Sequence, residues 1–282
     1  PVTVKKPDGT EELAPPVMRV TGTVRHARDI QRADFEYLKS QVAPGRTPKV
    51  TIPSPTMLHF RGGRAGISAD AYPDLDAFWD DLTAAYRDEV ADLADRGLRY
   101  LQLDDTNLAY LCDPEIRAST QSRGDDPDDL TRRYSRLVSD AVAGRPDDMV
   151  ATVHLCRGNF RSAWVAQGGY DPVAEILFDD MDVDGFFLEY DDERSGDYAP
   201  LRHVPPGKVV VLGLMSSKKP HPEPADDLVR RIEEASQYID LDQCALSHQC
   251  GFSSTAHGNA LGEDDQWRRL ERLVEVAERV WG

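Results

Sequence analysis

Short, nearly continuous apolar runs return again and again along this chain, and few architectures can bury them all. They are PKVTIPSP (48–55), LRYLQLDD (98–105), DMVATVHLC (148–156), DGFFLEYD (184–191), KVVVLGLMSS (208–217) and CALSHQCGF (244–252). Strands apolar on both faces need cover on both, so the pattern predicts a parallel sheet wrapped by helices. The segments between them supply that cover. Phe78, Leu82, Tyr86, Val90 and Leu93 recur at helical spacing and stop at Gly97. Leu228, Ile232, Ala235 and Ile239 repeat the pattern, and Trp267, Leu270, Val274, Ala277 and Trp281 predict a final amphipathic helix. Another helix is expected over ADFEYLKSQVA, after an extended excursion through residues 1–30 that includes PPVMRVTGTVRHARDI.

Two architectures bury such strands, the closed (β/α)8 TIM barrel and the open doubly wound sheet. No G-x-G-x-x-G turn follows any of the runs, which argues against the dinucleotide-binding form of the open sheet. Polar groups instead collect where the runs end: Asp104-Asp105, His154-x-Cys156, Glu189 and Cys250. Barrels carry their chemistry at those strand ends, so the expected fold is α/β, a (β/α)8 barrel occupying 1–282 as a single catalytic domain. Six strand-helix units are legible rather than eight, so the barrel is expected to be incomplete at its N-terminal side. The missing strands would be truncated from this chain, which starts at Pro1 rather than methionine, or supplied by a partner chain or second copy.

A formal charge of −17 excludes a nucleic-acid backbone as partner. Nothing approaches the roughly 18 apolar residues of a membrane helix, and no membrane partner is expected. Four cysteines in 282 residues are too sparse for a disulfide scaffold, so a reducing cytoplasm is the expected setting.

Residues two apart on a strand share a face, so His154 and Cys156 emerge side by side. Alone, the pair could simply pack, as buried cysteines do. Glu189, after GFFL, is harder to leave unpartnered, because a buried carboxylate is costly without a counter-charge. An ion pair with Arg194 or Arg157 is the plain structural account. Taken together, His154, Cys156, Glu189 and Cys250 offer imidazole, carboxylate and two thiolates at successive strand ends, a donor set suited to Zn²⁺. Zinc with two thiolates is a poor Lewis acid for hydrolysis but can hold a substrate thiol as thiolate, ready to attack an alkyl group. Glu189, the hardest donor, is the ligand expected to loosen when that sulfur arrives. Arg194 and Asp197 are expected to order the loop behind Glu189, His248 to be a loop histidine, and Cys112 and Cys244 to be bystanders.

The stretches LQLDD, HLCRGNF, FLEYDDERSGDYAPL, VVLGL and QCGFSS resemble the cobalamin-independent methionine synthase family, in particular its short bacterial members. The resemblance implies a zinc-bearing TIM barrel with His154, Cys156, Glu189 and Cys250 as ligands. It implies that Asp104 holds the amino group of homocysteine. Asp105 is expected either to help position that partner or only to cap a loop, and Ser54 and Phe60 of PSPTMLHFRGG are expected as further substrate contacts. The implied reaction is methyl transfer from 5-methyltetrahydrofolate to homocysteine sulfur, with Asp104 and Glu189 as its active carboxylates. Three positions depart from the family pattern. Met215 stands near the place of a proton-relaying histidine, Phe60 near that of a folate-stacking tryptophan, and Gln249 where an aspartate precedes the last cysteine. Two rivals follow from these departures and from the missing strands: zinc-dependent alkylation of another thiol, such as epoxide opening by coenzyme M, and a non-catalytic barrel or one piece of a two-chain enzyme with structural zinc.

Overall fold

The computed structural model describes residues 2–6, 9–13 and 18–282. It opens with an antiparallel hairpin of β1 (Val2–Lys6) and β2 (Gly9–Leu13), followed by α1 (Arg32–Gln41). The six apolar runs then form β3 (Val50–Pro53), β4 (Tyr100–Asp105), β5 (Val150–Leu155), β6 (Gly185–Glu189), β7 (Val209–Met215) and β8 (Cys244–His248). All are parallel and lie side by side in sequence order. Between them run α2 (Leu75–Asp95), the short α3 (Asn107–Tyr110), α4 (Pro114–Ser122), α5 (Pro127–Val142), α6 (Asp171–Asp180) and α7 (Ala225–Ala235), and α8 (Glu263–Trp281) follows β8. The architecture is α/β and TIM-barrel-like, with β3 and β8 as edges among the described residues.

The local sequence explains where three of the helices start. Asp74, Asp113 and Asp126 each accept backbone N–H groups at the heads of α2, α4 and α5, and Pro114 and Pro127 follow two of these caps. Residues 18–30 form no helix and make one strand-like bridge, Val20 to Ile67, while the described residues before them form a hairpin rather than a plain excursion; Ala14 to Val17 lie outside the described residues. Lys5 exchanges two backbone hydrogen bonds with Trp164, at 2.6 and 3.0 Å, so the hairpin docks on the loop after β5.

Strand register sorts the side chains into two faces. One face carries Leu101, Leu103, Val153, Leu155, Phe186, Leu188 and Leu212, all at most 1 % exposed. The opposite face carries Gln102, Asp104, Thr152, His154, Phe187 and Glu189, paired in register across β4, β5 and β6. The polar face is therefore one continuous surface that ends at the C-terminal edge of the sheet. Gly213 on β7 keeps that surface narrow: a Cβ there would meet the Leu188 carbonyl oxygen and the Gln249 Cα at 2.8 Å.

The predicted stripe on α8 is out of phase. Trp267 and Val274 are 55 % and 52 % exposed, whereas Arg269 and Val276 are fully buried. The arginine faces inward because its guanidinium pairs with Glu223 at 3.1 Å and donates to the carbonyls of Lys219 and His221. A buried polar anchor has overridden the hydrophobic phase.

His59, just after β3, is another buried polar group. It is 3 % exposed, its Nδ1 lies 2.8 Å from the Tyr134 hydroxyl, and burial pushes its pKa down to about 4. The folded chain thus refuses a proton that the unfolded chain accepts near pH 6.5. The stability advantage of wild type over H59Q is expected to hold above pH 6.5 and to shrink by about 3 kcal/mol on descending to pH 4. Urea denaturation of both proteins across that range checks it; a pH-independent difference would contradict the buried neutral imidazole.

Candidate metal centre

Three donors converge at the C-terminal edge of the polar face. The ligating atoms of His154, Cys156 and Cys250 all lie within 4.8 Å of one another. The two sulfurs are 3.1 Å apart, and Cys250 Sγ is 3.5 Å from His154 Nε2. The geometry follows from the strands: β5 delivers His154 and, one alternation later, Cys156, while the turn after β8 brings Cys250 across. Cys156 is fixed by its N–H to the Asp105 carbonyl at 2.8 Å, and its sulfur accepts the Gly158 N–H at 3.3 Å.

The two sulfurs are close enough to share one proton, so their titrations are linked. Cys250 donating to it holds Cys156 well below the ordinary thiol range, with His154 adding to the effect. Cys250 itself is pushed well above that range by the same contact and by burial. Burial disfavours a charged His154, but the neighbouring Cys156 thiolate outweighs it and raises the imidazole pKa. Two sulfurs and an imidazole in mutual reach, with anionic character already on one sulfur, fit a zinc ion.

Glu189 is not in that group of three. It is fully buried at the end of β6, where the Tyr170 hydroxyl accepts its N–H at 2.9 Å. Its Oε1 accepts from Lys218 Nζ at 2.9 Å and Arg194 Nη2 at 3.4 Å, and its Oε2 accepts the Arg157 backbone N–H at 3.0 Å. Arg194 is thus one of the counter-charges expected from the sequence, whereas Arg157 contributes backbone rather than guanidinium. Lys218, the nearest cation, was not anticipated. Its ammonium also lies 3.4 Å from Asp191, and it is only 8 % exposed. Burial opposes its charge, but Glu189 and Asp191 outweigh burial and hold the ammonium above its ordinary range.

Asp104 sits on the polar face as the register partner of His154, and Gln102 donates to its Oδ1 at 2.6 Å. The other expected substrate contacts are turned away. Asp105 is fully buried on the opposite face, accepting from Thr56 Oγ1 and the Leu108 N–H, which makes it a loop cap. Ser54 is fully buried beside Thr56, with the hydroxyls 3.3 Å apart. Phe60 is 6 % exposed, packed between Tyr110 and Tyr134 at ring distances of 6.0 and 6.3 Å. A strand places consecutive residues on opposite faces, so Asp104 and Asp105 cannot both serve the site.

The supporting residues divide similarly. Arg194 braces Glu189, whereas Asp197 caps the following turn through the Ala199 N–H. His248 packs in a tilted contact on Phe252 at a ring distance of 4.7 Å, and burial pushes its pKa down to about 4. Cys112 and Cys244 are buried, and burial pushes both thiols up to about 11. Met215 is fully buried in β7, and the Gln249 side chain clamps Ser217, accepting its N–H and donating to its hydroxyl.

Residues 60–278 match the family described as cobalamin-independent synthase, catalytic domain. The chain is 46 % identical over 266 residues to the uncharacterized protein YxjG of Bacillus subtilis (strain 168), covering 94 % of this chain and 69 % of that protein. A crystal structure described as the putative vitamin-B12 independent methionine synthase from Listeria monocytogenes superposes with a TM-score of 0.75 at 37 % identity, over 94 % of this chain and 73 % of that one. The 5-methyltetrahydropteroyltriglutamate–homocysteine methyltransferase of Bifidobacterium animalis subsp. lactis (strain AD011) is 25 % identical over 96 % of this chain and 31 % of its own length. No helix among the described residues is long and apolar enough to cross a membrane.

Proposed function

Because the chain belongs to the cobalamin-independent synthase catalytic-domain family, we propose that it is a zinc-dependent thiol methyltransferase converting homocysteine to methionine with methylfolate as donor, residues 1–282 acting as one catalytic domain. The observation that carries this reading is the meeting of His154, Cys156 and Cys250 on the face that also presents Asp104. Zinc held by these residues would supply the positive charge that keeps a substrate thiol deprotonated at neutral pH. Asp104, oriented by Gln102, would anchor the substrate ammonium through a charge-assisted hydrogen bond. Glu189 would complete the ligand set when released from Lys218.

The test combines zinc analysis, zinc-edge X-ray absorption with and without homocysteine, and methionine formation from methylfolate. The reading requires bound zinc, one added sulfur neighbour and turnover. D104N is expected to weaken homocysteine binding by about 10- to 100-fold, with zinc content unchanged. Equal homocysteine affinity in D104N and wild type would remove Asp104 from the site.

The buried Phe60 and Met215 favour a second reading within the same chemistry, in which another electrophile replaces methylfolate. Neither residue offers an exposed stacking ring or a relay imidazole. Supplying homocysteine and coenzyme M with methylfolate and with an epoxide in turn separates the two; product from the epoxide alone would eliminate the first.

A further inference from the structure

Lys218 is placed too deliberately to be an incidental neighbour of Glu189. Buried lysines are rare unless paired, and this one sits in a loop pinned from three sides. The Ser216 N–H donates to Glu223 Oε1 at 3.0 Å, the Ser217 N–H to Gln249 Oε1, and Arg269 binds the Lys219 and His221 carbonyls. Behind Lys218 stand a second acid and a second cation: Asp191 Oδ1 is 3.2 Å from Arg194 Nη2, and Asp191 Oδ2 is 3.4 Å from Lys218 Nζ.

The geometry points to Lys218 as a positioning residue that holds the Glu189 carboxylate away from the three soft donors, so that Glu189 exchanges between the metal and Lys218 as a substrate thiol leaves or arrives. The inference rests on the zinc-thiol reading above and adds the partner that makes the exchange reversible. Its physical basis is that neither position strands a charge. With Glu189 on Lys218, both carboxylate oxygens are satisfied, one by the ammonium and one by the Arg157 N–H. With Glu189 moved to a metal, Lys218 keeps Asp191, and Arg194 keeps Asp191 and Asp192. A buried ion left without its partner is the costly outcome, and this arrangement avoids it in both positions.

The test is zinc-edge X-ray absorption and homocysteine calorimetry on zinc-saturated wild type, K218M, E189Q and the double variant. Wild type should exchange one oxygen neighbour for one sulfur on adding homocysteine. K218M should keep the oxygen neighbour and need about tenfold more homocysteine, a coupling typical of residues in contact. In the E189Q background the Lys218 substitution should change nothing further, because the carboxylate it acts through is gone. E189Q alone, in which Lys218 keeps Asp191, should bind homocysteine at least as tightly as wild type; this arm decides the matter should K218M not fold. Wild-type behaviour in K218M, an undiminished Lys218 effect in E189Q, or lost thiol binding in E189Q would each overturn the inference alone. Wild type gaining no sulfur would overturn the zinc-thiol reading, and this inference with it.

Discussion

Cys156→Ser is expected to lower zinc affinity by two to three powers of ten and to abolish thiol alkylation, while the protein still folds. Four-ligand zinc sites bind with about 10–16 kcal/mol, so one ligand is worth roughly 3–4 kcal/mol. Cys156 is the donor to weaken first because its sulfur lies 3.1 Å from that of Cys250 and accepts the Gly158 N–H, which favours its thiolate. A serine hydroxyl can take those hydrogen bonds but stays protonated near neutral pH and is a poor soft-metal ligand. The backbone contact from the Cys156 N–H to the Asp105 carbonyl survives the change, so thermal melting of the metal-free protein should scarcely move. Competition with a chromophoric chelator measures the loss, and unchanged zinc affinity would break the ligand assignment.

The parts of the fold that could be read in advance are those set by local pattern. All six apolar runs became strands, because β-branched, two-faced apolar segments of that length have few other ways to be buried. His154-x-Cys156 is legible from strand parity alone, and Cys250 from its place near the end of the last run. Parity also could have warned against pairing Asp104 with Asp105, since one of two consecutive strand residues must turn to the helices. What sequence did not reveal is decided by contacts far along the chain. Lys218 reads as a solvated lysine among SSKKP until Glu189 and Asp191, some thirty positions earlier, are seen to enclose it. Ser54 and Phe60 were assigned by likeness of neighbourhood, and the turn at Pro55–Leu58 instead directs them inward.

Arg269 shows the same non-locality with a larger energetic consequence. Its fully buried guanidinium joins Glu223 to the carbonyls of Lys219 and His221, tying α8 to the loop that carries Lys218. Arg269→Met keeps the side-chain bulk but leaves the Glu223 carboxylate and two carbonyls without their donor. Breaking one side of a buried ion pair typically costs about 3–5 kcal/mol, which for a chain of this size lowers the melting temperature by roughly 10 °C. Glu223 also accepts the Ser216 N–H, so the loop should loosen as α8 does, and amide exchange at Ser216 and Ser217 should quicken. Replacing both partners, as in R269M/E223M, removes the stranded carboxylate and is expected to recover part of the loss, because two matched apolar groups are cheaper than one unpaired charge. Equilibrium denaturation of the two single variants and the double one measures the coupling. Additive losses would mean that Arg269 and Glu223 act on the loop independently, through the Lys219 and His221 carbonyls and the Ser216 N–H, rather than as a pair.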